Sequence, residues 1–182
     1  MSSTQSESER WLAELPEPDA LSEDEFGAWR GLIRLRETAI REIDRRLREA
    51  GEVTLPDYGV LITLVSAPGL RLRMSDLGAQ RMLTPSGITR VVAQLERRGL
   101  VRREADPADG RGAFAVMTRS GLEALRRAQV LHHAAIREVY LGQLTPRERE
   151  RLGRLYEKAL PGVISEPVWP PRAPARIRTA DS

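Results

Sequence analysis

The sequence contains no cysteine and only two histidines, His132 and His133, among its 182 residues. The absence of cysteine excludes disulfides, thiolate metal sites, cysteine nucleophiles and thiol-based redox sensing. A zinc site would need carboxylates beside the two histidines, so we expect no metal and no cofactor. Aromatic residues make up only 4% of the chain, so any core must be aliphatic.

Long hydrophobic runs and the motifs of common active sites are also missing. Apolar stretches such as residues 60–62 are too short to span a bilayer, and the acidic N-terminus has no signal-peptide core. There is no Gly-x-Ser-x-Gly elbow, no phosphate-binding glycine loop with lysine and no His-Glu-x-x-His. We therefore expect a cytoplasmic protein that is not an enzyme and has no catalytic residues.

Charge is unevenly distributed along a chain whose net charge is +3. Residues 1–25 carry eight acidic side chains and one arginine, whereas residues 71–119 carry ten arginines and five acidic side chains. A locally basic region is typical of proteins that bind polyanions, but charge runs also occur on ordinary solvated surfaces. Charge alone leaves both interpretations open.

A long first helix is predicted over residues 22–50, between a capping box at Ser22 and a stop at Gly51. Apolar residues recur in it at seven-residue spacing and form a stripe on an otherwise charged helix. The stripe consists of Phe26, Ile33, Ile40 and Leu47. A solitary helix of this kind cannot bury its stripe without a partner, so we expect it to mediate dimerisation.

Three further helices are predicted in the middle of the chain. One begins near Thr54 and stops at the Ala-Pro-Gly breaker at 67–69. A short helix is capped by Ser75, and another runs over residues 85–98 with Thr84 as its cap. These spacings are typical of a helix-turn-helix.

The period then changes from helical to extended. Residues 101–105 and 113–117 flank a loop of turn formers at 106–112, which predicts one β-hairpin. Within this loop Asp106 and Asp109 look like turn residues. Two final helices are predicted to begin at Ser120 and at Thr145.

These elements predict a mainly α fold with a small β-hairpin wing: a winged helix-turn-helix with long N- and C-terminal dimerisation helices. The expected segments are an acidic, disordered extension (1–22), a dimerisation helix (23–52), the winged helix-turn-helix (53–117), dimerisation helices (118–160) and a proline-rich tail (161–182).

The helix at 85–98 buries one apolar face and leaves Ser86, Thr89, Arg90 and Arg97 outside. The major groove of B-DNA admits an α-helix, and an arginine one turn from its start can bond a guanine bidentately. Ser86 and the first backbone N–H groups could instead hold a phosphate. An ordinary amphipathic helix with a solvated face would show the same pattern.

The predicted hairpin tip carries Arg111 between two glycines, and its first strand carries Arg102 and Arg103. Such an arginine has no role in packing the core. Its side chain can enter a narrow minor groove of DNA, where Asp109 could orient it. The alternative is a plain turn in which Asp-Gly supplies the dihedral angles. The candidate DNA-binding residues are Thr84, Pro85, Ser86, Thr89, Arg90, Arg97, Arg102, Arg103, Asp109 and Arg111.

Residues 72–121 resemble the MarR family (multiple antibiotic resistance regulators). The likeness lies in Met-Ser-Asp-Leu at 74–77, Thr-Pro-Ser-Gly-Ile-Thr-Arg-Val-Val at 84–92, Leu-Glu-Arg-Arg-Gly-Leu-Val-Arg-Arg at 95–103, Asp-Pro-Ala-Asp-Gly-Arg-Gly at 106–112 and Met-Thr-Arg-Ser-Gly at 117–121. It implies a homodimer that binds double-stranded DNA at a pseudo-palindromic operator, mostly as a repressor. Many members release DNA when a small phenolic or other anionic effector binds between the dimerisation and DNA-binding lobes.

The chain departs from the family at Gly87 in the recognition helix, at Gly112 beside the wing arginine and in its terminal extensions. Gly87 is expected to loosen the helix by up to roughly 1 kcal/mol. The lack of cysteine excludes the thiol-based peroxide-sensing branch of the family.

A ligand site is a further hypothesis, with Trp29, Arg36, Tyr58 and His132 as candidates. A buried arginine near aromatic rings could bind a carboxylate or phenolate. The simpler interpretation pairs Arg36 with an acid and makes His132 a satisfied interface residue.

The alternative function is a winged-helix module that binds a protein partner rather than DNA. Such a module would need an apolar recognition face, whereas Ser86, Thr89 and Arg90 are polar.

Overall fold

The computed structural model describes residues 21–107 and 109–162, and for residues 109–111 it describes the backbone only. Contacts divide the chain into two compact units, residues 1–37 and 38–182. Most of the predicted acidic extension and the proline-rich tail from residue 163 lie outside the described residues. Among the described helices, none combines the length and hydrophobicity needed to cross a bilayer.

Six α-helices and three strands make up the described part of the chain. In order they are α1 (Glu23–Glu49), α2 (Leu55–Ser66), β1 (Arg71–Arg73), α3 (Met74–Gln80), α4 (Pro85–Arg97), β2 (Val101–Asp106), β3 (Asp109–Met117), α5 (Arg119–Ile136) and α6 (Pro146–Ala159). A 3₁₀ turn at Pro68–Leu70 precedes β1, and a π-helical turn at Arg137–Leu141 follows α5. The strands form one antiparallel sheet in the order β1-β3-β2. The predicted mainly α fold with a β-hairpin wing is confirmed.

Reciprocal capping boxes start three of the helices. Before α1, the amide of Ser22 donates to the Glu25 carboxylate at 2.9 Å, as the sequence predicted. Thr54 with Asp57 caps α2, and Thr145 with Glu148 caps α6, each with a proline in the first turn. These local signals place the helix starts correctly because the partners are three residues apart.

Two predicted helix starts are wrong. Helix α3 begins at Met74, and the Ser75 hydroxyl donates to the Asp76 carboxylate at 3.2 Å rather than capping the helix. Helix α5 begins at Arg119, because the Thr118 side chain accepts the amide of Gly121 at 3.0 Å. Ser120 therefore lies inside the first turn.

The sheet has one strand more than predicted. Strand β1 pairs with the far edge of β3, with Arg71 opposite Val116 and Arg73 opposite Phe114. Three residues are too few to show a strand period, and only pairing with β3 defines them as a strand. β3 is therefore the central strand of the sheet.

An aliphatic core fills the second unit. Leu47 of α1 is buried there together with residues of every other helix up to α5, including Leu61, Leu77, Val92 and Leu125. The rest of the predicted α1 stripe is different, because Phe26 is 48% exposed and Ile40 is 41% exposed. On α6, Leu155 is 51% exposed.

A tight junction joins α4, β2 and α5. The Thr118 hydroxyl donates to the carbonyl of Gly99 at 2.7 Å, just after α4, and lies 3.0 Å from the carbonyl of Leu100. A Cβ added at Gly121 would overlap the Leu100 carbonyl oxygen. Glycine is required at 121 because the chain leading into the wing passes directly against α5.

Candidate nucleic-acid interface

Helix α4 starts at a well-formed cap. The Thr84 hydroxyl accepts the amide of Gly87 at 3.2 Å and lies 3.2 Å from the Ser86 hydroxyl. Pro85 occupies the first helical position, where its fixed φ favours the helix and its missing N–H costs nothing. Thr84, Pro85 and Ser86 are all exposed, so this helix end is open to a ligand.

The outer face of α4 carries the predicted polar residues. Ser86, Thr89, Arg90 and Arg97 are exposed, while Ile88, Val92 and Leu95 on the opposite face are buried. The Thr89 hydroxyl donates to the carbonyl of Pro85 at 2.7 Å. Within the described part of the chain, neither Arg90 nor Arg97 forms an ion pair or a side-chain hydrogen bond. Two arginine side chains are thus available to an external anion.

Two glycines fit the crowded region where α3 leads into α4. A Cβ at Gly78 would lie 3.3 Å from Ile88, and the amide of Leu83 donates to the carbonyl of Gly78 at 2.9 Å. A Cβ at Gly87 would lie 3.1 Å from the Thr84 capping hydroxyl. The unusual Gly87 therefore suits the crowded cap.

The wing strand β2 carries the arginines predicted to meet phosphates. Arg102 is exposed and paired with Glu104 on the same strand face. Arg103 instead points to α4, where its Nη2 donates to the carbonyl of Thr89 at 3.1 Å. Its Nε lies 3.4 Å from Glu96. The predicted residues of α4 and β2 are therefore neighbours in space.

Asp109 and Arg111 belong to β3 by their backbone, and their side chains lie outside what the structure describes. Asp106 at the end of β2 is 5% exposed and pairs with Arg73 of β1. Asp106 pairs with Asp109 across the hairpin turn, as expected of a turn residue, and it also ties this end of β2 to β1 as a buried acid. Sequence reasoning missed the pair of Asp106 with Arg73 because it missed β1.

The sheet stacks two arginines on one ring. The guanidinium of Arg71 lies 4.0 Å from the centre of the Phe114 ring, and that of Arg73 lies 5.8 Å away. Such cation–π contacts hold guanidinium groups in place on the sheet face. The sequence signal that could have predicted these contacts is the Arg-x-Arg pattern at 71–73, which lies opposite Phe114 in the sheet.

Asp57 of the α2 capping box is a second buried acid. It is 1% exposed, accepts the Gln94 amide nitrogen at 3.2 Å and lies 3.8 Å from Arg98. Its own capping bond to the amide of Thr54 is 3.1 Å. The start of α2 is thereby joined to the C-terminal half of α4.

Two of the four candidate ligand residues lie together. The Tyr58 ring stacks on the His132 ring at 4.3 Å, and burial together with nearby His133 lowers the pKa of His132 to about 4. No described group bonds the buried Nδ1 of His132. In the first unit, Trp29 is 57% exposed and Arg36 is exposed, so the buried arginine of the hypothesis is absent from the single chain.

A cleft of about 320 Å³ lies between the C-terminal half of α1, the start of α2 and the turn before α4. Its lining is mostly apolar, with Ile40, Leu55 and Leu83 among its walls. The Arg81 guanidinium reaches over Gly59, where a Cβ would overlap it, and has no acidic partner among the described side chains. Sequence reasoning did not single out Arg81. Those same described residues contain no cluster of three metal-ligating side chains.

Comparison with known proteins agrees with this geometry. A family model described as the MarR family matches residues 52–112. The transcriptional regulator HosA of Escherichia coli O111:H- is 31% identical over 126 residues, which are 69% of this chain and 91% of HosA. The HTH-type transcriptional repressor Mb2911 of Mycobacterium bovis is 32% identical over 117 residues, which are 64% of this chain and 81% of Mb2911.

Among solved structures, Sco3205 of Streptomyces coelicolor, a MarR family transcriptional regulator in complex with DNA, superposes with a TM-score of 0.71 at 34% identity. The match covers 86% of this chain and 98% of Sco3205. The fold, the motif order and the relatives agree along most of the described chain. This chain therefore belongs to the MarR family of winged helix-turn-helix transcriptional regulators.

Proposed function

We propose that this protein binds a pseudo-palindromic DNA operator as a homodimer and represses transcription there. Helix α4 would enter the major groove, with Arg90 reading a base edge and Thr84, Ser86 and Arg97 near phosphates. Arg102 on the wing would meet the DNA backbone, and Arg111, near the start of β3, would enter the minor groove. Asp109 would orient Arg111.

The observation that carries this proposal is the pair of unpaired arginines on the outer face of α4. Arg90 and Arg97 are exposed and have no acidic partner among the described residues. They can bind DNA without first breaking an ion pair. A protein-binding module would instead need exposed apolar residues on this face, and those of α4 point into the core.

Operator binding is tested by footprinting genomic fragments and measuring their affinity with nonspecific competitor DNA present. Arg90→Ala should weaken operator binding more than nonspecific binding, since a bidentate base contact contributes about 1–3 kcal/mol of discrimination. Arg126→Ala, which removes an exposed and unpaired arginine from α5, is the matched control. An unchanged specific-to-nonspecific ratio for Arg90→Ala would refute the recognition-helix assignment.

The homodimer is supported by apolar side chains that one chain leaves in solvent. On α1 these are Phe26, Trp29 and Ile40. On α6 and at its C-cap, Leu155 and Leu160 are more than half exposed. Exposed apolar groups of this size commonly mark an interface. Sedimentation should give a dimer at micromolar concentration. A stable monomer bound one chain per site would contradict the proposal.

Release of DNA by a small anionic or phenolic effector is the regulatory part of the same proposal. The cleft with Arg81 offers an unpaired guanidinium beside apolar walls, which suits a carboxylate on an apolar body. The buried Nδ1 of His132, stacked on Tyr58, suits a phenol or carboxylic acid. Thermal shifts with substituted benzoates and phenols would be compared among wild type, Arg81→Ala and His132→Phe. Ligands that neither stabilise the protein nor release operator DNA would refute release by this class.

A further inference from the structure

Arg103 spans the gap between the wing and the recognition helix. Its Nη2 donates to the carbonyl of Thr89 at 3.1 Å, and its Nε lies 3.4 Å from the Glu96 carboxylate. Two of its three guanidinium nitrogens are therefore turned towards α4 rather than outward. The neighbouring Arg102 has its only described partner, Glu104, on its own strand.

Glu96 completes this contact from the helix side. Its Oε1 accepts the backbone amide of Arg103 at 3.2 Å, while its Oε2 faces the Arg103 side chain. Strand β2 is an edge of the sheet, so the amide of Arg103 points away from β3 and would otherwise be unpaired. One carboxylate therefore holds both the backbone and the side chain of a single wing residue.

We propose that Arg103 and Glu96 form a tether that sets the position of the wing relative to α4, and that Arg103 acts on DNA affinity as a positioning residue rather than by binding phosphate. This inference rests on the proposed DNA binding and revises the role expected for Arg103. The binding free energies of a major-groove contact and a minor-groove contact add fully only when one rigid body makes both contacts. A loose wing would lose binding through the entropy of ordering it.

The sign of the Glu96 effect separates positioning from direct contact. Removing a carboxylate close to DNA ordinarily strengthens binding, because it removes repulsion of phosphates. A tether predicts the opposite, since Glu96→Gln loosens the wing. Glu104→Gln is the matched control, because Glu104 is the next acid along β2 and contacts Arg102 and Arg71 but not α4.

The experiment measures operator affinity of the full-length protein across a range of salt concentrations. Arg103→Ala, Glu96→Gln and the double variant should each weaken binding at least about fivefold, with the double variant no weaker than Arg103→Ala. The slope of log affinity against log salt should stay at the wild-type value for all three. Arg102→Ala should reduce it, since each lost phosphate contact changes the slope by about 0.9.

Hydrogen exchange without DNA tests the tether independently of any operator. The amide of Arg103 should exchange faster in Glu96→Ala, which removes its acceptor, than in wild type or Glu104→Ala. Unchanged exchange, stronger or unaltered operator binding by Glu96→Gln, or a reduced salt slope for Arg103→Ala would each overturn the proposal. If the wild type bound no operator while the exchange result held, the proposed function would fail and the tether would stand as a structural feature.

Discussion

The recognition helix and the wing sheet both carry arginines but differ in how these arginines are paired. On α4, Arg90 and Arg97 have no acidic partner among the described residues. Each sheet arginine with a described side chain faces a carboxylate: Arg71 and Arg102 face Glu104, Arg73 faces Asp106 and Arg103 faces Glu96. Arginine count alone therefore does not identify a DNA contact.

The difference follows from the periods of helix and strand. Side chains three and four residues apart are neighbours on a helix, and the positions at these spacings from Arg90 and Arg97 hold no acidic residue. On a strand, residues two apart share a face, which brings Arg102 next to Glu104. The one acid of α4, Glu96, contacts the wing instead.

The largest expected effect tests whether α4 and the wing both depend on the contact between Gly121 of α5 and the carbonyl of Leu100. Gly121→Ala would force a methyl group into the Leu100 carbonyl, so we expect it to destabilise the protein by about 3 kcal/mol and to lose DNA binding as well. Gly153→Ala on α6 has no atom within 4 Å of its Cβ and should stabilise by about 0.5–1 kcal/mol. Denaturant unfolding of both variants measures this. Equal stability of the two would show that the junction tolerates movement.

Arg111 of the wing should contribute to DNA affinity but not to stability. Arg111→Ala is expected to weaken operator affinity at least about tenfold, or roughly 1.4 kcal/mol, with the larger loss on sites with A·T-rich flanks. The reason is its position between two glycines, where the arginine side chain can extend away from the protein and has little to pack against. The melting temperature should stay at the wild-type value. Loss of stability together with affinity would make Arg111 structural, and wild-type affinity would exclude a wing contact.

A smaller effect compares two adjacent arginines at the end of α4, the last helical residue Arg97 and the C-cap Arg98. Arg97 is unpaired, whereas Arg98 lies 3.8 Å from the buried carboxylate of Asp57. We expect Arg97→Ala to reduce the salt slope of DNA binding by about 1.8 per dimer without changing stability. Arg98→Ala should lower the free energy of unfolding by up to about 1 kcal/mol and leave the slope unchanged. The comparison between free and paired arginines would fail if the two variants behaved alike.

The last effect depends on pH and lies away from α4 and the wing, at His132. Burial lowers its pKa to about 4 in the folded chain, against an ordinary value of 6.5. The unfolded chain therefore binds the extra proton between these values, and stability falls as pH falls from about 6.5 towards 4. His132→Phe, which keeps the stack on Tyr58, should lose less stability than wild type between pH 7 and pH 5. Equal losses by chemical denaturation would show that His132 stays solvated.

Local signals were sufficient where both partners are close in sequence. The boxes at Ser22, Thr54 and Thr145 and the exposed face of α4 were all predictable, since each depends on spacings of three or four residues. The start of α5 was misplaced because Thr118 and Ser120 are both possible caps in the sequence, and the bond from Thr118 to the chain after α4, which favours Thr118, is not local. Strand β1 was missed for the same kind of reason.

By itself, the sequence determined the helices, the polar outer face of α4 and an aliphatic core, because backbone periodicity and capping act over a single turn. Only the tertiary structure decided which charges are free. Asp57 meets Gln94 across 37 residues, and Arg103 meets the carbonyl of Thr89 across 14. Hydrogen bonds and ion pairs form between groups that are adjacent in space, and packing of the sheet and helices against one core brings these groups together.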